Sequence, residues 1–482
     1  MDADVAPARE PLSLLERGLR LFTDVRAGEG LTGLVMFADV FLILCAYYFV
    51  KALRDGWIAV SEVPGLSQVE LKAYTSFAQS LLLWGIVSVY ARLSACWPRR
   101  TLVTRVTLVC ISSLVLFWLL QPGFLFTNLP GAGVAFYLWV GMFGVFVVAQ
   151  FWTFAADLYA GERGKRLLPL IAVGATGGAA FGSFLTQHLL RSGLVDSGTL
   201  LLLAIVPLTG SVLLTLLADA RGPVAGMRVE RTARTAPAVS GARAGSGALG
   251  MIFRHRYLLV VATVAMLTNW VNTNGENLVF RVLQDTLRED MGGRGITGTV
   301  AARAFVRDGT TAFYGNYFFW VNLCALLAQA LLASRLLRWG GIGAVLLVLP
   351  LISLVSYSSM AVLPVLGVMR VTKIAENATN YSLDNTARQV IWLPTTTEMK
   401  YWTKPAIDSL FLRLGDGMAA LTVLVGSQVL GLPTRDLALV NVALVACWLG
   451  AAVVIVLDYR RLMPAGRRRP SPETRDSSAE LC

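Results

Sequence analysis

Histidine is nearly absent from this 482-residue chain: the two it has, His188 and His255, stand far apart. A metal centre needs three or four clustered ligands, so none is expected. Six cysteines occur without a CxxC pair, so neither a zinc site nor a disulfide framework is indicated. Charge is scarce as well, at 15% of residues against roughly 25% in soluble domains. No GxxxxGK[ST] sequence is present, which excludes a Walker-type ATPase site. Gly293, Gly295 and Gly298 fit GxGxxG, but no strand–helix unit surrounds them. No nucleophile–base pair or cofactor motif is visible, so an enzyme is not expected.

What the chain does have is apolar length. Hydrophobic residues make up 55% of it, and its mean hydropathy is +0.62. Residues 1–30 are polar and do not read as a signal peptide. Runs long enough to cross a bilayer (about 20 residues) lie near 31–53, 69–93, 102–120, 132–157, 167–190 and 198–217. A second set lies near 256–284, 311–337, 341–358, 359–382, 406–430 and 436–458. The expected fold is therefore an all-α integral membrane protein: twelve transmembrane helices in two six-helix halves, 31–218 and 256–458. Segment 219–255, rich in Arg, Ala, Gly and Ser, reads as a flexible linker.

The net charge of +12 follows the connections and not a soluble face, which argues against nucleic acid. Four arginines precede the first span, and Arg92, Arg99, Arg100 and Arg105 flank the second connection. Arg163, Lys165 and Arg166 follow span four, and seven arginines run from Arg221 to Arg256. Arg388, Lys400 and Lys404 follow span ten, and six arginines lie between Arg460 and Arg475. The intervening connections have few basic residues or balance them with acids. By the positive-inside rule both termini are cytoplasmic, in a bacterial inner membrane. Two six-helix halves joined by a basic cytoplasmic linker describe the major-facilitator architecture. Within residues 1–30, Leu12, Leu15, Leu19, Phe22 and Val25 share one helical face, expected on the inner membrane surface or on the bundle's own cytoplasmic ends. The basic tail is 459–482.

Polar residues inside the spans point to function, because a charge at the bilayer centre costs at least roughly 2.5–3.5 kcal/mol. In span ten, Arg370, Lys373, Glu376 or Asn377, and Asn380 recur every three or four residues and form one polar face. Span seven carries Asn269, Asn272 and Glu276 at i, i+3 and i+7. Span one holds Asp39 in its first half, which needs a partner, and Lys51, Arg54 and Asp55 near its end. Lys51 is placed to pair with Asp55 one turn on. In span eleven Arg413 and Asp416 are i, i+3 neighbours. Gly174, Gly178 and Gly182 form a small-residue stripe on span five, suited to close helix contact or to close approach of a substrate.

The run NYSLDNTARQVIWLPTTTEMKYWTKPAIDSLFLRLGD resembles the nucleotide translocases, the ATP/ADP exchangers of intracellular bacteria and plastids. It resembles still more closely their relatives in free-living bacteria. Tyr381, Ser382, Leu383, Arg388, Pro394, Lys400, Lys404, Ile407 and Asp408 carry the pattern, and Lys51–Trp57 and Phe151–Leu170 add to it. The resemblance implies a major-facilitator-like fold with alternating access, and nucleotide exchange through a central charged cavity. The chain departs from it where Arg54 replaces a lysine, and where Val140, Phe280 and Asp416 stand at charged positions of other character.

These readings predict a substrate cavity between the halves lined by Lys51, Arg54, Asn272, Glu276, Arg370, Lys373, Glu376 and Asp416. Its cations suit an organic anion, nucleotide or other, by charge-assisted bonds. The acids nearly balance them, which suits a zwitterion or singly charged solute. Two alternatives stand beside nucleotide exchange. One is a proton-coupled carrier of another solute, with Glu276, Glu376 or Asp39 as proton site; the other is a non-transporting receptor or assembly factor. A cytoplasmic charge lock is also expected, joining Asp157 or Glu162 to Arg388 or Lys400 beside Lys404 and Asp408, which form an i, i+4 pair.

Overall fold

The computed structural model describes residues 29–96, 99–121, 131–159, 162–221 and 241–462. The expected amphipathic segment and the basic tail lie almost entirely outside these residues.

Twelve spans run through the described residues. The first six are the helices Gly30–Ala59, Gln68–Cys96, Arg99–Leu119, Ala132–Leu158, Glu162–Arg191 and Ser197–Arg221. Spans seven to nine are Arg256–Gly293, Thr299–Leu331 and Ala333–Val362. Span ten is Leu366–Thr379 continued through a π-turn, Asn380–Asp384, into Asn385–Val390. Span eleven starts at Thr397–Ala406, passes a second π-turn at Ile407–Phe411 and ends at Val429; span twelve is Thr434–Leu462. Eight of these helices are apolar and long enough to cross a membrane by themselves, and span seven joins them when counted with the short helix bent 106° from its start. The three that fall short are spans two, eight and ten. Spans eight and ten carry Arg303, Arg307 and Asp308, and Arg370, Lys373 and Glu376. Polar spans survive in a bilayer when partners inside the bundle satisfy them.

Three boundaries differ from the sequence reading. The break before span ten falls at Leu363–Val365, several residues later than expected, where Pro364 has no N–H to continue the helix. Span nine begins at Ala333 and kinks at Gly341, whose φ of +63° only glycine adopts freely. The linker is not irregular throughout: Gly241–Arg254 is a helix that packs on Thr397–Ala406.

The two halves repeat one packing scheme. Span one packs against five and six, and span seven against eleven and twelve. Two meets four as eight meets ten, and three meets six as nine meets twelve. The glycine stripe explains the tightest contact. A Cβ at Gly174, Gly178 or Gly182 would strike the backbone carbonyl oxygens of Phe37, Phe41 and Cys45 in span one. Helices without a hydrophobic driving force between them associate through such close approach. Of the two readings of the stripe, helix contact is the one realised.

The halves meet mainly along spans five and eight, one and eight, and two and eleven. Three buried apolar clusters each stay within one half. The fourth is shared, joining Tyr48, Ala52, Ile58 and Leu71 to Phe280, Tyr314, Tyr317 and Phe318.

Candidate functional site

Every described hydrogen bond between the halves lies from the middle of the bundle toward the end opposite the linker. At that far end Arg303 meets Glu62 at 3.0 Å, Arg288 donates to Gln68 at 2.7 Å, and Gln428 donates to Glu70 at 3.2 Å. Deeper, Asn316 donates to Gln187 at 2.7 Å and Lys72 to the Tyr314 hydroxyl at 3.0 Å. At mid-depth Tyr48 donates to Asn322 at 3.2 Å and Ser80 to Asp416 at 2.6 Å. Between this level and the linker end, the described hydrogen bonds and ion pairs each stay within one half. Among the described residues the halves are thus bonded from mid-depth to the far end.

Beneath the seal the halves bring a cationic, aromatic site together. Asp55, 1% exposed, pairs with Lys72 at 2.9 Å and with Arg54 at 3.4 Å. The expected Lys51–Asp55 pair is therefore replaced. Lys72 reaches Asp55 from span two, and the Lys51 ammonium lies instead over the Phe318 ring, 4.2 Å from its centroid, and over Tyr48 at 4.9 Å. An ammonium desolvated against rings gains cation–π attraction without losing its charge to a carboxylate. The Arg54 guanidinium stacks 4.3 Å over Tyr137, and its buried Nε has no hydrogen-bond partner. Glu276 of span seven lies within Coulombic range of Arg54. Asn377 lies 3.4 Å from Glu276 and donates to the Tyr317 hydroxyl at 2.6 Å. Tyr381 is near Tyr47, Tyr48, Glu276 and Arg54, yet 43% of its surface is open. It therefore faces open space inside the bundle.

Lys51, Arg54 and Lys72 face Asp55 and Glu276 here, three cations against two carboxylates. The site keeps one positive charge in excess.

The other predicted residues form a second cluster, inside the second half. Lys373, fully buried, lies 2.9 Å from Glu376, 2.9 Å from the Asn272 side-chain oxygen, 3.1 Å from the Asn272 carbonyl and 3.1 Å from the Tyr357 hydroxyl. Gly275 makes room for this knot, since a Cβ there would strike the Tyr357 hydroxyl. Four oxygens surround this one ammonium, so Lys373 and Glu376 tie spans seven, nine and ten together. Arg370 is half-buried, and no hydrogen bond or ion pair holds it among the described residues.

Asp416 belongs to the joint between halves. It accepts from Ser80, from Asn269 at 2.7 Å and from Thr273 at 3.1 Å, and pairs with Arg413 at 3.3 Å as its spacing predicted. At the linker end Arg388 pairs with Asp384 on its own span at 2.6 Å, Lys404 donates to Gln389 at 2.8 Å, and Lys400 and Asp408 are exposed. Among the described residues Asp408 and Lys404 make no direct salt bridge, yet Asp408 lies within Coulombic range of both Lys404 and Arg388. The side chains of Asp157 and Glu162 lie outside the described part of the structure.

Sequence reasoning did not single out Lys72, Ser80, Tyr137, Tyr314 or Tyr317. Lys72 left a signal, being the sole charged residue between Glu70 and Arg92 of span two. The tyrosines left none, since aromatic residues are ordinary in membrane spans.

No family profile matches the chain, and no curated protein matches it in sequence. Solved structures match its fold along nearly the whole length. An auto-inhibited peptide transporter of the POT family superposes with a TM-score of 0.57 at 13% identity, over 91% of this chain and 99% of its own. A mutant of the nucleoside transporter NupG gives 0.59 at 14%, over 88% and 99%. A POT family transporter in complex with 5-aminolevulinic acid gives 0.55 at 12%, over 89% and 96%. The chain is thus a multi-pass membrane protein with the major-facilitator fold.

Proposed function

We propose that this chain is an alternating-access transporter of a small organic anion or zwitterion. The surplus positive charge at Lys51, Arg54 and Lys72, beside open space, is the observation that carries the reading. A solute carboxylate or phosphate would take up the unpartnered Nε edge of Arg54 and the Lys51 ammonium, while Tyr137, Tyr317 and Tyr381 hold its organic part. With one net charge to offer, the site neutralises a monoanion or a zwitterion's acidic end. A polyanion such as ATP would remain largely uncompensated in low dielectric.

Alternating access in this chain would work through the far-end bonds. Solute bound between the halves adds contacts that differ between the two states, and only such a difference shifts their populations. Rocking of the halves would break Ser80–Asp416, Lys72–Tyr314, Arg303–Glu62 and Arg288–Gln68 and bring the linker ends together. There Arg388 or Lys400 would meet Asp157 or Glu162 as a lock in the opposite state. By charge distribution the linker end is cytoplasmic, in a bacterial inner membrane.

Nucleotide exchange is the second reading, favoured by the resemblance around Tyr381–Asp408. Counterflow into proteoliposomes separates the two. Labelled monocarboxylates, amino acids and nucleoside monophosphates should include a solute that exchanges while ATP does not. Exchange of ATP for ADP with no uptake of smaller anions would overturn the first reading and establish the second.

A further inference from the structure

The first half holds a buried carboxylate that the substrate site does not use. Asp39, on span one, is wholly buried, and no ion pair holds it among the described residues. Its two oxygens accept from the hydroxyls of Ser211 at 2.5 Å and Thr215 at 2.8 Å, both on span six. An ionised carboxylate at this depth needs a counter-charge or must lose its own.

Ser211 and Thr215 also line a small void of about 10 Å³, room for one water-sized particle, with Thr107 of span three, Gln150 of span four and Ile43, one turn beyond Asp39. Gln150 is 2% exposed, and neither its amide oxygen nor its amide nitrogen has a hydrogen-bond partner. Leaving a buried amide unmade costs roughly 1–3 kcal/mol for each unsatisfied group, so such a side chain calls for a ligand. No Lys, Arg or His lines the void. Its polar lining is three hydroxyls and one amide, drawn from spans three, four and six, and two of those hydroxyls bond the Asp39 carboxylate of span one behind them.

We propose that Asp39, Ser211, Thr215, Thr107 and Gln150 form a binding site for a sodium ion, separate from the solute site. Five side chains offering oxygen suit a hard cation. A single carboxylate matches one positive charge, whereas divalent sites gather more acids. A proton on Asp39 would neutralise the charge but leave the Gln150 amide oxygen unmade, and a cation in the void would take that oxygen while balancing the carboxylate. Because Asp39 and its partners bridge span one to span six, occupancy would brace the first half.

The test needs no solute and so does not depend on the transport reading. The purified full chain in detergent is melted in NaCl and in choline chloride at equal ionic strength, across pH 6 to 8. Sodium should raise the midpoint by roughly 2–4 °C when present at about tenfold its dissociation constant. Asp39→Asn should abolish that shift, and Gln150→Leu should weaken it at least tenfold in sodium concentration. Should Asp39→Asn fail to fold, equilibrium binding of radioactive sodium to the wild type and to Gln150→Leu decides the matter. A midpoint that follows pH but not sodium would show that Asp39 takes only a proton and overturn the assignment. Equal midpoints in sodium and choline, or an undiminished shift in Asp39→Asn, would overturn it as well.

Discussion

Ser80 of span two donates to Asp416 of span eleven at 2.6 Å, and this bond joins the two halves at mid-depth. Asp416 is 8% exposed and draws three further partners from its own half, so its geometry is fixed whether or not Ser80 is present. A hydrogen bond to a charged group contributes about 1.5–3 kcal/mol. Ser80→Ala should therefore weaken the far-end-sealed state by that order while sparing the fold. Labelling of a single cysteine replacing Ala59, buried where the halves meet toward the far end, by a membrane-impermeant reagent should speed up in the variant. An unchanged labelling rate would show that the joint does not bias the two states.

The Lys373–Glu376 pair makes an opposite prediction, for stability and not for state. Removing one partner of a buried pair costs roughly 3–5 kcal/mol, because the other charge is stranded. Lys373→Met should lower the melting midpoint sharply, and the double change with Glu376→Gln should recover much of the loss. If Lys373→Met melts like the wild type and loses only transport, then Lys373 serves the solute directly.

Arg54 and Lys72 share Asp55 yet should behave differently. Arg54→Lys keeps the charge but loses the planar fork and the stack on Tyr137, so uptake should fall at least tenfold with normal expression. Lys72→Met removes both the nearer partner of Asp55 and the bond to Tyr314, and should reduce stability as well as uptake. Uptake assays paired with melting curves check the contrast.

Outside the spans, Asp196 caps the sixth helix by accepting from the Gly198 and Thr199 amides and the Thr199 hydroxyl. Partial burial works against its charge, but the Thr199 and Gly198 bonds outweigh that and hold its carboxyl below the ordinary range. A depressed carboxyl contributes stability above its unfolded value and loses it as the pH falls through the folded one. Asp196→Ala should cost about 0.5–2 kcal/mol at neutral pH. The gap from wild type should close in acid, which melting at pH 3 against pH 7 would show.

The two-half architecture was legible because twelve apolar runs and alternating basic connections both follow from the bilayer itself. The stripe Gly174, Gly178 and Gly182 and the pair Arg413–Asp416 were legible for a local reason, residue spacing on one helix. The site was legible as a set of charges but not as a set of pairs. Lys51 has Asp55 one turn away, yet Lys72 of another span takes that carboxylate. Likewise the face of span ten divides, since Lys373 and Glu376 turn into the second half while Asn377 reaches the interface. Which side of a polar face meets solute depends on helix rotation, set by contacts far apart in sequence such as Gly275 with Tyr357. The π-turns at Asn380–Asp384 and Ile407–Phe411 added shifts of register that a 3.6-residue period does not anticipate.

The central claim is that the halves exchange between a far-end-sealed and a linker-end-sealed state around bound solute. Distances between paired spin labels test it most directly, on a cysteine-free background in nanodiscs. One pair replaces Leu194 and Val300 across the far end, and the other Ala156 and Leu393 across the linker end. The account predicts two distance populations at each end, with the far-end distance long when the linker-end distance is short, and a shift in their ratio on adding the transported solute. A single distance at both ends, unmoved by any solute that supports counterflow, would contradict it.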